Sequence, residues 1–179
     1  DRSRHSCWTA LPIWSCMAKS KRKYFRTIIR HKRYVMVECF KVWLYRQGIT
    51  HDLSKFGKTE FSINAQFYNW NSIWNEREKV KAGYQHSRLH HFHTNPHHLS
   101  FRVYINNGEV SALKIPEKYV LELCCDFIGA GKVYNKWKRQ RTEPLQYRKD
   151  NVDKTYVHPE TQKEISIYLE HYALFGTLK

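Results

Sequence analysis

The stretch Thr50-His51-Asp52-Leu53-Ser54-Lys55-Phe56 constrains this chain more than any other. It sets an imidazole beside a carboxylate, with a cation three residues on. Adjacent His and Asp side chains reach one divalent ion only if the backbone kinks between them, and a Lys one helical turn later can face a bound phosphate. Further ligands must then arrive from elsewhere in the chain. The sequence offers them in order: His31 upstream, then His90-His91-Phe92-His93-Thr94-Asn95-Pro96-His97-His98, then Asp126 in an apolar segment.

The periodicities predict a mainly α protein. Phe25, Ile28, Ile29, Val35, Met36, Cys39, Phe40 and Trp43 recur at helical spacing and predict one long helix over 19–47, ended by Gly48. His31 falls at the edge of that stripe. A short helix is expected over 59–68 with Phe61, Ala65 and Tyr68 on one face, followed by a loop at Asn69, Asn71 and Asn75. Another is expected from Glu76 toward His93, stopped by Pro96, with His86, His90 and His93 on one face. Alternation on either side of Asn106-Asn107-Gly108 predicts a small β-hairpin within 101–115, beside the site. Pro116 should open a helix with Tyr119, Val120, Leu123, Cys124 and Phe127 as its apolar stripe. Glu122 and Asp126 border that stripe, and a carboxylate there is costly unless it is paired, protonated or metal-bound. That helix is expected to end at Gly129-Ala130-Gly131-Lys132. After a basic run from Lys136 to Arg141, a short helix follows Thr142-Glu143-Pro144 and a last amphipathic one runs from Pro159.

Several classes are set aside on residue chemistry. Five cysteines without C-x-x-C indicate neither a disulfide framework nor a zinc knuckle, and they suit a reducing cytoplasm. The apolar stretch before Lys19 contains Pro12 and is shorter than the roughly 20 residues a spanning helix needs, so no membrane association is expected. The pair His86 and His90 has zinc-protease spacing, but Ser87 stands where that motif needs Glu. The string from Gly129 to Lys132 lacks the first Gly of a phosphate-binding loop and the Ser or Thr after its Lys. One domain over 19–179 is expected; Met17-Ala18-Lys19 reads as a start, making 1–18 an extension. Thirty-one Lys and Arg against 16 acidic residues give a formal charge of +15, which favours polyanionic partners, a nucleotide or nucleic acid.

Four strings occurring together, His51 to Phe56, His90-His91 with Asn95 and His97-His98, Cys125 to Lys132, and His158 to Thr161, resemble a domain-of-unknown-function family of bacteria and phages. The order His, His-Asp, His cluster, Asp is more distantly similar to the HD superfamily of metal-dependent phosphohydrolases. That likeness implies an HD-domain-like helical bundle with His31, His51, Asp52 and Asp126 around a first metal. A second would be held by histidines among His90, His91, His97 and His98, although this chain compresses its middle histidines and lacks the Gly-Tyr-Pro of the best-known two-metal members.

Imidazoles and carboxylates without thiolate suit one or two Mn, Fe, Mg or Co ions. The expected activity is phosphoester hydrolysis of a small phosphorylated substrate such as a nucleotide, with Asp52, Lys55 and Glu122 catalytic and Lys55, Asn95 and Lys132 contacting substrate. Two rivals are an HD-type di-iron oxygenase, told apart by iron content and oxygen consumption, and a basic nucleic-acid-binding protein, told apart by steeply salt-dependent binding that chelators leave alone.

Overall fold

The computed structural model describes residues 13–66, 68, 83–134 and 140–179, with side chains from 20 onward. The expected loop at Asn69 to Asn75, the first turns of the helix expected from Glu76, most of the basic run and the side chains of the N-terminal extension lie outside these residues. The architecture is mainly helical with one two-stranded antiparallel sheet.

The first helix, α1 (Ile13–Lys41), carries a single buried line: Tyr24, Ile28, His31, Val35 and Cys39, extended by Val42 in the turn that follows. His31 therefore sits in the middle of the buried stripe, not at its edge. Phe25, Ile29, Phe40 and Trp43, expected on that stripe, are exposed. The helix also ends at Lys41, not at 47. Trp43 N–H donates to the Phe40 carbonyl (3.2 Å) and Leu44 N–H to the Cys39 carbonyl (2.9 Å), with Trp43 in the left-handed region at φ 66°. That is a Schellman termination with a tryptophan in the usual glycine position. Gly48 serves packing instead. It lies within α2 (Tyr45–Thr50), where a Cβ would stand 3.0 Å from the Phe40 ring and 3.1 Å from Cys39 Cβ.

A 3-10 turn (Leu53–Phe56) leads to α3 (Lys58–Gln66), which brings Ala65 and Phe61 onto Tyr24 and Ile28 as its apolar face predicts. The α4 helix (Tyr84–Thr94) packs on α3 and stops before Pro96, as expected. Its buried face is Ser87 and His91, continued by Asn95, while His86 and His93 are exposed. The three-imidazole face is thus rotated by one residue. Ser87 fixes the register, small enough for close approach and donating to Asn64 Oδ1 at 3.1 Å.

The hairpin pairs β1 (Val103–Asn106) with β2 (Glu109–Ala112) around Asn107 and Gly108, both at positive φ as a type I′ turn requires. The strands are shorter than expected because Phe101 and Arg102 belong to a 3-10 turn. They are mostly exposed and contribute nothing to the polar cluster described below.

The central element is α5 (Glu117–Tyr134), buried on every side from Val120 to Cys125. It packs on α1 through Val35, Cys39, Cys125 and Ile128 and on α7 (Pro159–Phe175) through Ile165, Leu169 and Tyr172. It runs past Lys132, because Gly129 is the crossing point with α1: a Cβ there would lie 2.5 Å from Val35 Cγ2. The short α6 (Glu143–Lys149) joins it to α7. Cys39, Cys124 and Cys125 are buried and free.

Candidate metal centre

The backbone does kink at the His-Asp pair. Asp52 adopts φ 53° and ψ 30°, a left-handed conformation that Asp tolerates better than most residues. Lys32 of α1 anchors the kink, donating to the carbonyls of Ile49 (2.6 Å) and His51 (2.9 Å). His51 and Asp52 consequently both face inward, 1% and 3% exposed, with His51 Nε2 3.3 Å from Asp52 Oδ2. From α1 His31 Nε2 comes within 2.8 Å of Asp126 Oδ1, and His51 Nε2 lies 3.5 Å from that same oxygen. His31, His51, Asp52 and Asp126 thus converge from three places in the chain with their ligand atoms within 4.8 Å of one another.

A second group forms on the other oxygen of Asp52. His91 Nε2 and His97 Nε2 each lie 3.6 Å from Oδ1, and His98 Nε2 approaches His91 Nε2 to 2.8 Å. Asp52, His91 and His98 likewise bring one ligand atom each within 4.8 Å of one another. Asp52 therefore faces both groups, one oxygen to each.

Two buried glutamates brace the imidazoles from behind. Glu122 Oε1 accepts from His51 Nδ1 (3.0 Å) and lies 3.3 Å from His97 Nδ1. Glu60, fully buried, takes His91 Nδ1 on Oε2 (2.9 Å) and His90 Nδ1 on Oε1 (2.8 Å). An imidazole that donates through Nδ1 presents Nε2 as a free lone pair, the usual arrangement behind a metal ligand. The Nε2 atoms of His31, His51 and His97 and both Asp52 oxygens are buried without a hydrogen-bond partner, while His91 Nε2 is hydrogen-bonded to His98 Nε2. His31 Nε2 approaches Asp126 to 2.8 Å and Lys55 Nζ forms an ion pair with Asp52 Oδ2 at 2.5 Å, both without the angles of hydrogen bonds. Buried groups left so cost free energy. A cation among them would satisfy them at once, so the donor set fits a metal ion.

The electrostatics agree. Burial works to raise the pKa of Asp52, but Lys55 and His51 beside it hold it far below the carboxylate range. Asp126 is likewise depressed despite its burial, by His31 and His51. Burial lowers the pKa of His51, yet Asp52, Asp126 and Glu122 overcome it and push it up to about 10, so this imidazole holds a proton that a cation taking its place would displace. His98 goes the other way, to about 2, through burial and then the neighbouring His97 and His91, and so stays in the neutral form that ligates.

Seven of the eight residues expected to bind metal are thus brought together. His90 is not among them: its side chain is 40% exposed and turned to Glu60, because only one of two adjacent helical residues can face inward. Lys55 lines the cavity on which the cluster opens. Asn95 does not face that cavity; it donates to Ser54 Oγ and the His91 carbonyl, both at 2.8 Å, and braces His91. Glu122, with Oε1 against two imidazoles, holds their rings in place and does not stand free as a proton acceptor. Lys132 pairs with Glu38, away from the cluster, because the helix continues through it. Glu60, Lys32 and Ser54 were not read from sequence. Nothing local marks Glu60, since its partners lie thirty residues on.

The cluster opens on a cavity of about 460 Å³ whose wall includes Lys55, Arg88, Tyr24 and Tyr68. Fold and cluster define a mainly helical protein with a buried imidazole–carboxylate centre able to take a metal ion. The chain belongs to the family of unknown function DUF5662, which matches residues 20–171. No curated protein and no solved structure matches it.

Proposed function

We propose that this protein is a metal-dependent phosphohydrolase of HD-like type, acting on a small phosphorylated substrate such as a nucleotide. Mn, Fe, Mg or Co would occupy two positions sharing Asp52: His31, His51 and Asp126 complete the first, and His91 and His98, with His97 beside them, the second. What supports this reading above all is the set of buried imidazole nitrogens and Asp52 oxygens that make no hydrogen bond and lie close to one another. A divalent ion in such a site acidifies a bound water and polarises a phosphoryl oxygen.

The chain's own residues do the rest. Glu122 and Glu60 hold His51, His97 and His91 in the ligating tautomer. Lys55, kept protonated by Asp52 despite its burial, faces the cavity and offsets phosphate charge. Arg88, in the same wall, adds a second cation. These two favour an anionic substrate over the di-iron oxygenase, which would use the same ligands. A nucleic-acid-binding protein without catalysis would leave the unpartnered cluster unexplained. The buried free thiols of Cys39, Cys124 and Cys125 suit a cytoplasmic setting.

Metal analysis of protein purified without a His tag should find one or two divalent ions per chain. Loaded with Mn or Fe, the protein should hydrolyse a phosphoester, and Asp52→Asn should lower turnover by at least about a thousandfold while the helical circular dichroism stays unchanged. Lys55→Ala should raise KM or lower kcat and keep the metal. Full turnover in Asp52→Asn would overturn the assignment. So would iron-loaded protein that consumes oxygen but cleaves no phosphoester under any of the four metals.

A further inference from the structure

Beyond the metal cluster, a second cavity of about 660 Å³ shares Asp126 and His98 with it and extends to α6 and the 3-10 turn Val152–Lys154. Its wall contains an unusual cation. Arg148 of α6 is only 3% exposed, yet every acceptor it meets is neutral: Thr155 Oγ1 at 2.9 Å, the Asn151 carbonyl at 3.4 Å, and Gln162 Oε1. No carboxylate lies within ion-pair distance of it among the described residues, and its Nε is buried without a partner. Buried guanidinium groups are ordinarily matched by a carboxylate, because desolvating the charge costs several kcal/mol. Among the described residues nothing supplies the match. Burial accordingly lowers the Arg148 pKa, with only the Tyr147 phenol opposing.

The rest of the wall holds two cations and two carboxylates. Lys154 and Arg88 add two cations, the latter seated 5.3 Å from the Phe92 ring centroid. The carboxylates are Asp126, turned toward His31 and His51, and Glu143, which lies against Gly131. Phe127 and Tyr147, in contact edge to face, give the cavity an apolar wall. A guanidinium in a water-poor recess is the group that best receives a phosphate, through paired N–H donors.

We infer that this cavity is a phosphate-binding subsite with Arg148 as its principal cation, so that the substrate carries two anionic groups, one at the metal cluster and one here. The two-anion substrate rests on the phosphohydrolase reading; the subsite does not.

The test is titration of the full-length protein, as purified with its metal, with inorganic phosphate at constant ionic strength, read by calorimetry and by the rise in melting temperature. Wild type should show a class of phosphate sites that Arg148→Met weakens at least tenfold and Lys55→Ala leaves in place. The Met variant, of similar reach and no charge, should melt no lower than wild type when phosphate is absent, whereas loss of a purely structural clamp would lower its melting temperature. If Arg148→Met fails to fold, Arg148→Lys, which keeps the charge and loses the paired donors, should still weaken that class of sites. Phosphate binding equal to wild type in the folded variant, or binding lost only with Lys55→Ala, would overturn the subsite. Wild type that binds phosphate through Arg148 but hydrolyses no ester would retain the subsite and refute the hydrolase.

Discussion

Two regions lie side by side along the crossing of α1 and α5 and are chemically opposite. In one, Val35, Cys39, Cys125 and Ile128 are all fully buried and close on one another around Gly129. In the other, one turn away on α1 and next to Cys125 on α5, His31 and Asp126 meet His51, which is 1% exposed. Exposure separates these regions less than completeness does. The apolar side chains pack on one another, whereas both Asp52 oxygens and the Nε2 atoms of His31, His51 and His97 are buried without a hydrogen-bond partner. A sequence selected for stability alone would replace such groups by apolar ones, often at no loss. Their retention at the centre of the molecule is what points to a function.

If the apolar region is complete, adding an atom there should be costly. Gly129→Ala puts a Cβ 2.5 Å from Val35 Cγ2 and 3.2 Å from the Val35 backbone nitrogen. Val35 cannot easily swing aside, because a β-branched residue in a helix has one strongly preferred rotamer. Overpacking of this kind costs about 3 kcal/mol, and the better helix propensity of Ala returns about 1. The melting temperature should fall by roughly 4 to 8 °C. In a Val35→Ala background the same substitution should cost little, and a penalty of equal size in both backgrounds would show that the close approach is not its source.

The polar region should respond in metal affinity. Glu122→Gln keeps the oxygen that faces His51 and His97 but drops its charge, so ion binding should weaken about tenfold, about 1.4 kcal/mol, with thermal stability little changed. Glu122→Ala, which also frees the imidazoles, should weaken it toward a hundredfold. Calorimetric metal titration reads both. Equal affinity in wild type and the Ala variant would mean that packing alone orients the histidines.

These regions were not equally legible in the sequence. The cluster residues legible in the sequence are those whose identity is written in adjacent or periodic positions: His51 with Asp52, where the pairing itself demands a kink, and Asp126, a carboxylate beside an apolar stripe. Helical spacing counts Phe25 and Ile29 into the stripe and so puts His31 at its edge, although both are exposed. Gly48 looks like a terminator, while the residue that ends α1 is Trp43. The bracing glutamates escaped for a different reason. Glu122 was seen but given a chemical role, since only the structure shows both imidazoles behind it. Glu60 acts through a contact between α3 and α4 that no periodicity within either helix encodes.

The smallest effect is expected at His90, and it is the sharpest check on the register of α4. His90 and His91 are neighbours in sequence and both bond to Glu60, yet their side chains are 40% and 11% exposed. Only His91 turns Nε2 toward Asp52. Removing His90 takes away a half-exposed ion pair, worth at most about 0.5 kcal/mol once solvent screening is counted, and leaves Glu60 bonded to His91. His90→Ala should therefore keep full metal content and nearly full thermal stability. His91→Ala removes a ligand of the second position and should lower the metal bound per chain, measured on the same preparations. Were His90→Ala to lose metal as His91→Ala does, the inward face of α4 would have to include both residues, and the boundary drawn between bracing and ligating histidines would move.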